Sequence, residues 1–205
     1  VPKQILTLEV DTLSLQPNEV ADKYAEVTGC PITVEIGIHP TCGIIGDRNK
    51  CISLCKNMIV QATTHHSYDD LRVIVLCDED ERDEWMFCKW LPHIFDDVRG
   101  MRYFADTTQQ SKKILDQMAD ILIQRKMENI DSEYHSTYNN TPFYLFICAS
   151  ERVIKHPIMK FLNTDTCELG VGAIFLFNRL DDLPKECHYI VETGMKGTIV
   201  YEKEQ

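Results

Sequence analysis

The sequence predicts an α/β domain built on a mostly parallel sheet with an antiparallel edge at its C-terminal end. Three observations carry this. Near-continuous apolar runs at 71–76 (LRVIVL), 143–148 (FYLFIC) and 173–177 (AIFLF) read as strands covered on both faces. Segments with helical spacing separate them, and strand alternating with helix implies parallel pairing through right-handed crossovers. Two shorter runs at 188–192 and 198–201, joined across Gly194 and Gly197, read as a closing hairpin.

In chain order, 5–10 and 32–36 alternate apolar with polar residues, the period of half-buried strands. Between them, 17–29 reads as a connector. It carries Val20, Tyr24 and Val27 at helical spacing and ends at Gly29, which allows a short helix. Residues 1–40 are expected to be N-terminal strands and a connector packed on a domain at 41–205. That domain opens with a short strand at 42–45 and a helix at 49–62. Ile52, Leu54, Cys55, Met58, Ile59 and Val60 make this helix apolar nearly all round, which predicts burial on several sides. His65 to Tyr68 form the turn out of it. The acidic run at 78–83 opens another helix, its carboxylates against the positive end of the dipole and Trp85, Phe87 and Trp90 in its body; Pro92 ends it. Residues 101–105 read as a strand. Thr107 and Gln110 form a capping box, and Ile114, Leu115, Met118, Ile121, Leu122 and Arg125 mark an amphipathic helix. A polar, tyrosine-bearing loop is expected at 131–141 and a further helix at 153–162.

Composition narrows the function. The 205 residues carry 21 Lys plus Arg against 32 Asp plus Glu, a net charge of −11. Such a balance repels nucleic-acid backbones and anionic lipid surfaces alike, so nucleic-acid binding by this chain is not expected. The nine cysteines include no C-x-x-C pair, and Cys51, Cys55, Cys77 and Cys148 lie in apolar runs where a thiol acts as a small hydrophobe. A reducing, cytosolic environment is expected. No apolar run approaches the roughly 18 residues that span a bilayer. The chain opens at Val1 without a signal-peptide pattern, and the missing initiator Met suggests a piece of a longer protein.

The stretch 41–60, TCGIIGDRNKCISLCKNMIV, joins a strand, a glycine turn and a helix N-terminus. That is the outline of a phosphate-binding loop, whose chemistry needs glycines, a lysine for the β/γ-phosphates and a hydroxyl for magnesium. With Lys50 as the motif lysine, Ile44 and Asn49 stand where glycines belong and Cys51 replaces the hydroxyl. With Gly43 and Gly46 as the glycines, Arg48, Asn49 and Lys50 replace glycine, lysine and serine. Gly43, Gly46, Asn49, Lys50 and Cys51 are thus degenerate phosphate-loop positions, left with the anion affinity of a helix N-terminus. A second motif would end a strand in Asp to hold the magnesium shell. The strand at 143–147 instead runs into Cys148, Ala149, Ser150 and Glu151. Cys148, Ser150 and Glu151 are a degenerate form of that motif, with Glu151 reading as an acid in a first helical turn. No catalytic residue is expected. No metal site is expected either, because His65 and His66 with Cys51 and Cys55 fit no zinc spacing. Trp85 and Trp90 read as core rather than as a docking patch, and His93 reads as a surface histidine.

Three segments carry a family resemblance: GIIGDRNKCISLCKNMIVQ at 43–61, TTHHSYDDLRVIVLCDEDERDEWMFCKWLPHIFDD at 63–97, and ELGVGAIFLFNRLDDLPKEC at 168–187. They resemble the type VII secretion membrane ATPases EssC and EccC, relatives of the FtsK/SpoIIIE translocases. The likeness is to the ATPase-like domain before the first ATPase domain, and the Trp90-Leu91-Pro92-His93 run is its most specific mark. It covers nearly all of 41–202; the first 40 residues match less clearly. The resemblance implies a three-layer RecA-like P-loop fold in a membrane-anchored, oligomeric secretion motor on the cytoplasmic side of a bacterial membrane. It also implies neighbouring ATPase domains in the same chain, other membrane components of the complex, and secreted proteins bound by other domains. ATP and magnesium are expected for those other domains and no cofactor for this one. Two functions compete: a non-hydrolysing module for structure and coupling, and an atypical nucleotide-binding or ATP-hydrolysing domain. DNA translocation is disfavoured by the acidic balance.

Overall fold

The computed structural model describes residues 12–25, 29–131, 140–163, 167–195 and 197–203, and the chain divides into two units, 1–33 and 34–205. The first unit holds α1 (Thr12–Lys23), which contains Pro17 and exposes Val20, and Tyr24, just after the helix, is exposed too. This helix starts and ends earlier than the spacing at 17–29 suggested. The strand expected at 5–10 lies outside the described residues, as do 132–139 of the expected loop. Residues 32–36 are not a strand. The chain turns there instead, with the N–H groups of Ile38 and His39 donating to Glu35 O at 2.9 and 2.8 Å.

The second unit begins its regular structure with β1 (Thr41–Gly46), α2 (Arg48–His65) and β2 (Leu71–Leu76), followed by α3 (Arg82–Trp85). The short strands β3 (Phe95–Asp96), β4 (Met101–Arg102) and β5 (Phe104–Ala105) come next, then α4 (Thr108–Asp131) and β6 (Phe143–Cys148). The chain continues through α5 (Met159–Leu162) and β7 (Val171–Leu176) to the hairpin of β8 (Tyr189–Gly194) and β9 (Gly197–Glu202). Seven strands form one sheet in the order β5-β2-β6-β7-β1-β8-β9. All its pairs are parallel except β8 with β9, while β3 and β4 form a separate antiparallel ribbon. The mostly parallel sheet and the antiparallel C-terminal edge are therefore as the sequence predicts. Every residue of β7 is buried, and so are nearly all of β1 and β6, so both faces of the sheet centre are covered.

Local departures have local causes. The α2 helix buries one face, Cys51, Ile52, Cys55 and Ile59, and leaves Val60 exposed, so it is not enclosed on several sides. The helix expected from 78 is broken into 3₁₀ turns at Glu79–Glu81 and Met86–Trp90 around the single turn of α3. A 3₁₀ turn aligns residues three apart, and this brings the buried Trp85 and Cys88 onto one line. The strand expected at 101–105 splits at Tyr103, whose N–H donates to Ile94 O at 2.7 Å while its carbonyl accepts from Val75 N at 2.9 Å. The helix expected at 153–162 is a 3₁₀ turn at Glu151–Val153 and the short α5, separated by Pro157, which has no N–H to continue a helix. In α4 the cap is half as expected. Thr107 Oγ1 accepts from Gln110 N at 3.4 Å, but Gln110 Oε1 takes the N–H of Asp106, one residue upstream.

Candidate functional site

In parallel α/β sheets, ligands bind beyond the carboxyl ends of the strands. Here β1 ends at Gly46 and α2 begins at Arg48, so Asp47 alone connects them. Its carboxylate accepts from Lys50 N at 3.0 Å, which serves the helix N-terminus with an anion of the chain's own. Gly46 has φ +114°, and a Cβ there would lie 2.1 Å from Thr193 O, so the approach of β8 demands glycine. Gly43 makes room for Leu183, whose Cδ1 would be 2.4 Å from a Cβ. Lys50 Nζ donates to Gly194 O at 2.8 Å, and the buried Cys51 thiol lies 3.2 Å from Thr193 Oγ1. Burial raises the Cys51 pKa, against the opposing pull of the Thr193 hydrogen bond and Arg48. Asn49 is exposed. Gly46, Lys50 and Cys51 are thus all turned toward β8.

The residue that occupies the strand ends is Arg48, which sequence spacing did not single out. Its Nη1 donates to Leu176 O and its Nη2 to Ala149 O, both at 2.8 Å, at the ends of β7 and β6. Its Nε and Nη2 also grip the Glu81 carboxylate at 2.5 and 2.6 Å. Burial alone would lower its pKa, but the hydrogen bond and charge of Glu81 outweigh that and raise it. One sequence signal existed: a cation in the first turn of a helix opposes the dipole, and so needs a tertiary partner.

The end of β6 is similarly self-contained. Cys148 is fully buried, and desolvation raises its pKa. Ser150 Oγ donates to Asp78 Oδ1 at 2.7 Å and accepts from Arg152 N at 3.3 Å. Arg152 then pairs with Asp78 at 3.2 Å and donates to Asp106 O at 3.1 Å, while Arg82 pairs with Asp106 at 2.9 Å. Glu151 points outward from its 3₁₀ turn. Burial first, then nearby charge, also pushes the Cys42, Cys77, Cys88 and Cys187 thiols up to about 12, so they are protonated and inert at neutral pH.

His65 and His66 are exposed and Cys51 and Cys55 buried, so these four are not brought together. Among the described residues, His39, His188 and Glu202 are grouped closely enough to consider as metal ligands. However, the two imidazoles stack 3.6 Å apart at 8°, and in-plane lone pairs on parallel rings cannot converge on one ion. His93 is buried, not on the surface, with Nε2 2.9 Å from His66 O. The two tryptophans divide: Trp85 is core, whereas Trp90 is 87% exposed.

No family model matches the chain. It is 26% identical over 197 residues to the ESX secretion system protein EccC of Geobacillus thermodenitrificans, covering 95% of this chain and 13% of that protein. It is 27% identical over 186 residues to the type VII secretion system protein EssC of Staphylococcus aureus, covering 89% of this chain and 12% of that protein. The chain is homologous to one segment of the EccC/EssC type VII secretion ATPases. It spans about one eighth of those relatives' length, 12–13%. Its fold matches solved ATPase domains of proteins that carry the names EssC and EccC. Against ATPases 2 and 3 of Geobacillus thermodenitrificans EssC the TM-score is 0.60, at 13% identity over 76% of this chain and 32% of that one. Against ATPases 2 and 3 of Thermomonospora curvata EccC, solved with a signal sequence peptide, it is 0.61, at 11% identity over 80% of this chain and 33% of that one. The fold is accordingly RecA-like. No described helix is long and apolar enough to cross a membrane.

Proposed function

We propose that this domain is a non-hydrolysing, ATPase-like coupling module of a type VII secretion motor. It works on the cytoplasmic side of a bacterial membrane and links a membrane anchor to downstream ATPase domains of the same chain. One observation carries the reading: Arg48 and Glu81 fill the strand ends where a triphosphate would dock. A phosphate loop wraps its ligand with several successive backbone N–H groups, whereas here Asp47 alone joins strand to helix and caps it. Gly43, Gly46, Asn49, Lys50 and Cys51 are the remains of such a loop, and Cys148, Ser150 and Glu151 the remains of the magnesium motif. Homology to EccC and EssC supports a place in the secretion motor. ATP and magnesium then belong to the other domains, as do the secreted substrates.

Thermal melting with Mg-ATP tests this. Saturation at about 100 times the dissociation constant would stabilise the domain by about 2.7 kcal/mol. The expected result is an unchanged midpoint at millimolar Mg-ATP. A clear rise would replace the proposal with that of an atypical nucleotide-binding domain.

A further inference from the structure

Within this acidic chain the described residues form a strongly basic concavity. A cleft of about 360 Å³ lies beside the edge strand β5 and the first turns of α4. Five cations line it, Arg82, Lys89, Arg99, Arg102 and Lys113, against one carboxylate, Asp106. Two of the five are engaged: Arg82 pairs with Asp106 at 2.9 Å, and Arg99 with Asp96 at 2.8 Å. Lys89 lies over the Phe104 ring, 4.6 Å from its centroid, with no carboxylate partner among the described residues. Arg102 and Lys113 are exposed and make no ion pair among the described residues. In a protein of net charge −11, with 32 acids available, this grouping leaves cations whose counter-charge is not supplied by the described residues.

The cleft also has apolar parts. The buried Met101, Phe104 and Ile114 are part of its lining. Next in sequence to two of the lining residues, Lys89 is followed by Trp90, 87% exposed, and Arg99 is preceded by Val98, 94% exposed. A small inorganic anion has no use for an exposed tryptophan, whereas Trp with Arg is the composition of protein-binding hot spots. Gln110 and Gln117 on the α4 wall add amides able to bond a peptide backbone.

We propose that this cleft docks an acidic peptide segment, carboxylates interleaved with apolar side chains, from a neighbouring polypeptide of the motor. The proposal deepens the coupling role and rests on it. Carboxylates meet Arg102, Lys113 and Lys89, and apolar side chains pack on Trp90 and Val98. Charge then guides the encounter, and the aromatic contact slows release.

The probe is a fluorescein-labelled peptide of about ten residues alternating glutamate and leucine, followed by anisotropy against the 205-residue chain. Saturable binding is expected, weakened as salt rises and reduced at least about tenfold by Arg102→Glu with Lys113→Glu. Circular dichroism confirms that the double variant is folded. A readout on the unaltered protein is tryptophan fluorescence: Trp85 is buried already, so binding should shield Trp90 from acrylamide. The proposal is overturned by binding that the double variant retains, by unchanged quenching of Trp90, or by inorganic triphosphate displacing the peptide at equal concentration. Because Mg-ATP melting reads the strand ends and these measurements read the cleft, failure of one is distinguishable from failure of the other.

Discussion

Two regions of the second unit are dense in charge, and they are built in opposite ways. At the ends of β1, β6 and β7 each cation has a carboxylate or carbonyl of the chain itself: Arg48 has Glu81, Leu176 O and Ala149 O, and Arg152 has Asp78. Beside β5, cations gather around one carboxylate that Arg82 already holds. The first region lies where an ATPase would bind its nucleotide, yet it is closed by its own side chains. The second has no counterpart in the phosphate-loop motif, yet it is left with unmatched charge. The count of charged residues therefore does not mark a site. What marks it is whether their partners come from within the fold.

The comparison can be broken most severely at the closed end. Gly46→Ala would drive a Cβ into Thr193 O at a φ that side chains avoid. A loss of about 3 kcal/mol is expected, measured by urea unfolding, and a neutral result would mean that β8 does not clamp this turn. Arg48→Met comes next. It strands the Glu81 carboxylate and two carbonyls, but these side chains retain 26% and 19% exposure, so the cost should be about 2 kcal/mol, below that of a fully buried pair. Adding Glu81→Gln should recover part of this, since the two act as one unit. If the single and double variants lose equally, the ion pair is incidental.

The open end is sharpened by its support. Asp96 is buried and accepts from Arg99 N, Arg99 Nη1 and Tyr103 Oη at 3.0, 2.8 and 2.8 Å, fixing the turn that presents Arg99. Burial opposes its ionised form, but these hydrogen bonds prevail and lower its pKa. Asp96→Asn should cost about 1.5 kcal/mol at neutral pH. Because the folded pKa lies below the unfolded one, the contribution is fully present above the ordinary aspartate value of about 3.9 and is lost as pH falls through the folded value. The wild type and the variant should therefore converge below about pH 4, and a constant difference down to the lowest pH would refute the linkage. The smallest expected effect belongs to Arg102→Glu with Lys113→Glu. Stability should change by about 0.5 kcal/mol or less, since neither cation makes an ion pair among the described residues. A larger loss would show that they are structural after all.

Much of this was legible in the chain. The runs LRVIVL and FYLFIC became β2 and β6 because a strand buried on both faces is apolar nearly throughout, the partly buried Arg72 near the start of β2 being the one charged residue in the two runs. The α4 helix was legible from its stripe: Ile114, Leu115, Met118 and Leu122 are all buried. Short elements were harder to read. Residues 101–105 look like one strand, but Tyr103 bonds across to Ile94 and divides the run between two sheets. His93 has no local signal for burial, and its bond to His66 O exists only once both segments are folded together.

Composition and periodicity determined the alternation of strands and helices, the hairpin at the C-terminal edge and the mismatch of 41–60 with a phosphate loop. These depend on neighbours a few residues apart, which a linear pattern records. Only the tertiary structure decided that Arg48 stoppers the strand ends and that Lys89, Arg99, Arg102 and Lys113 face one hollow. Arg48 reaches a glutamate 33 residues away and a carbonyl 128 residues away. Electrostatic partnership is set by distance in space, and only chain folding turns such separations into contacts of about 3 Å.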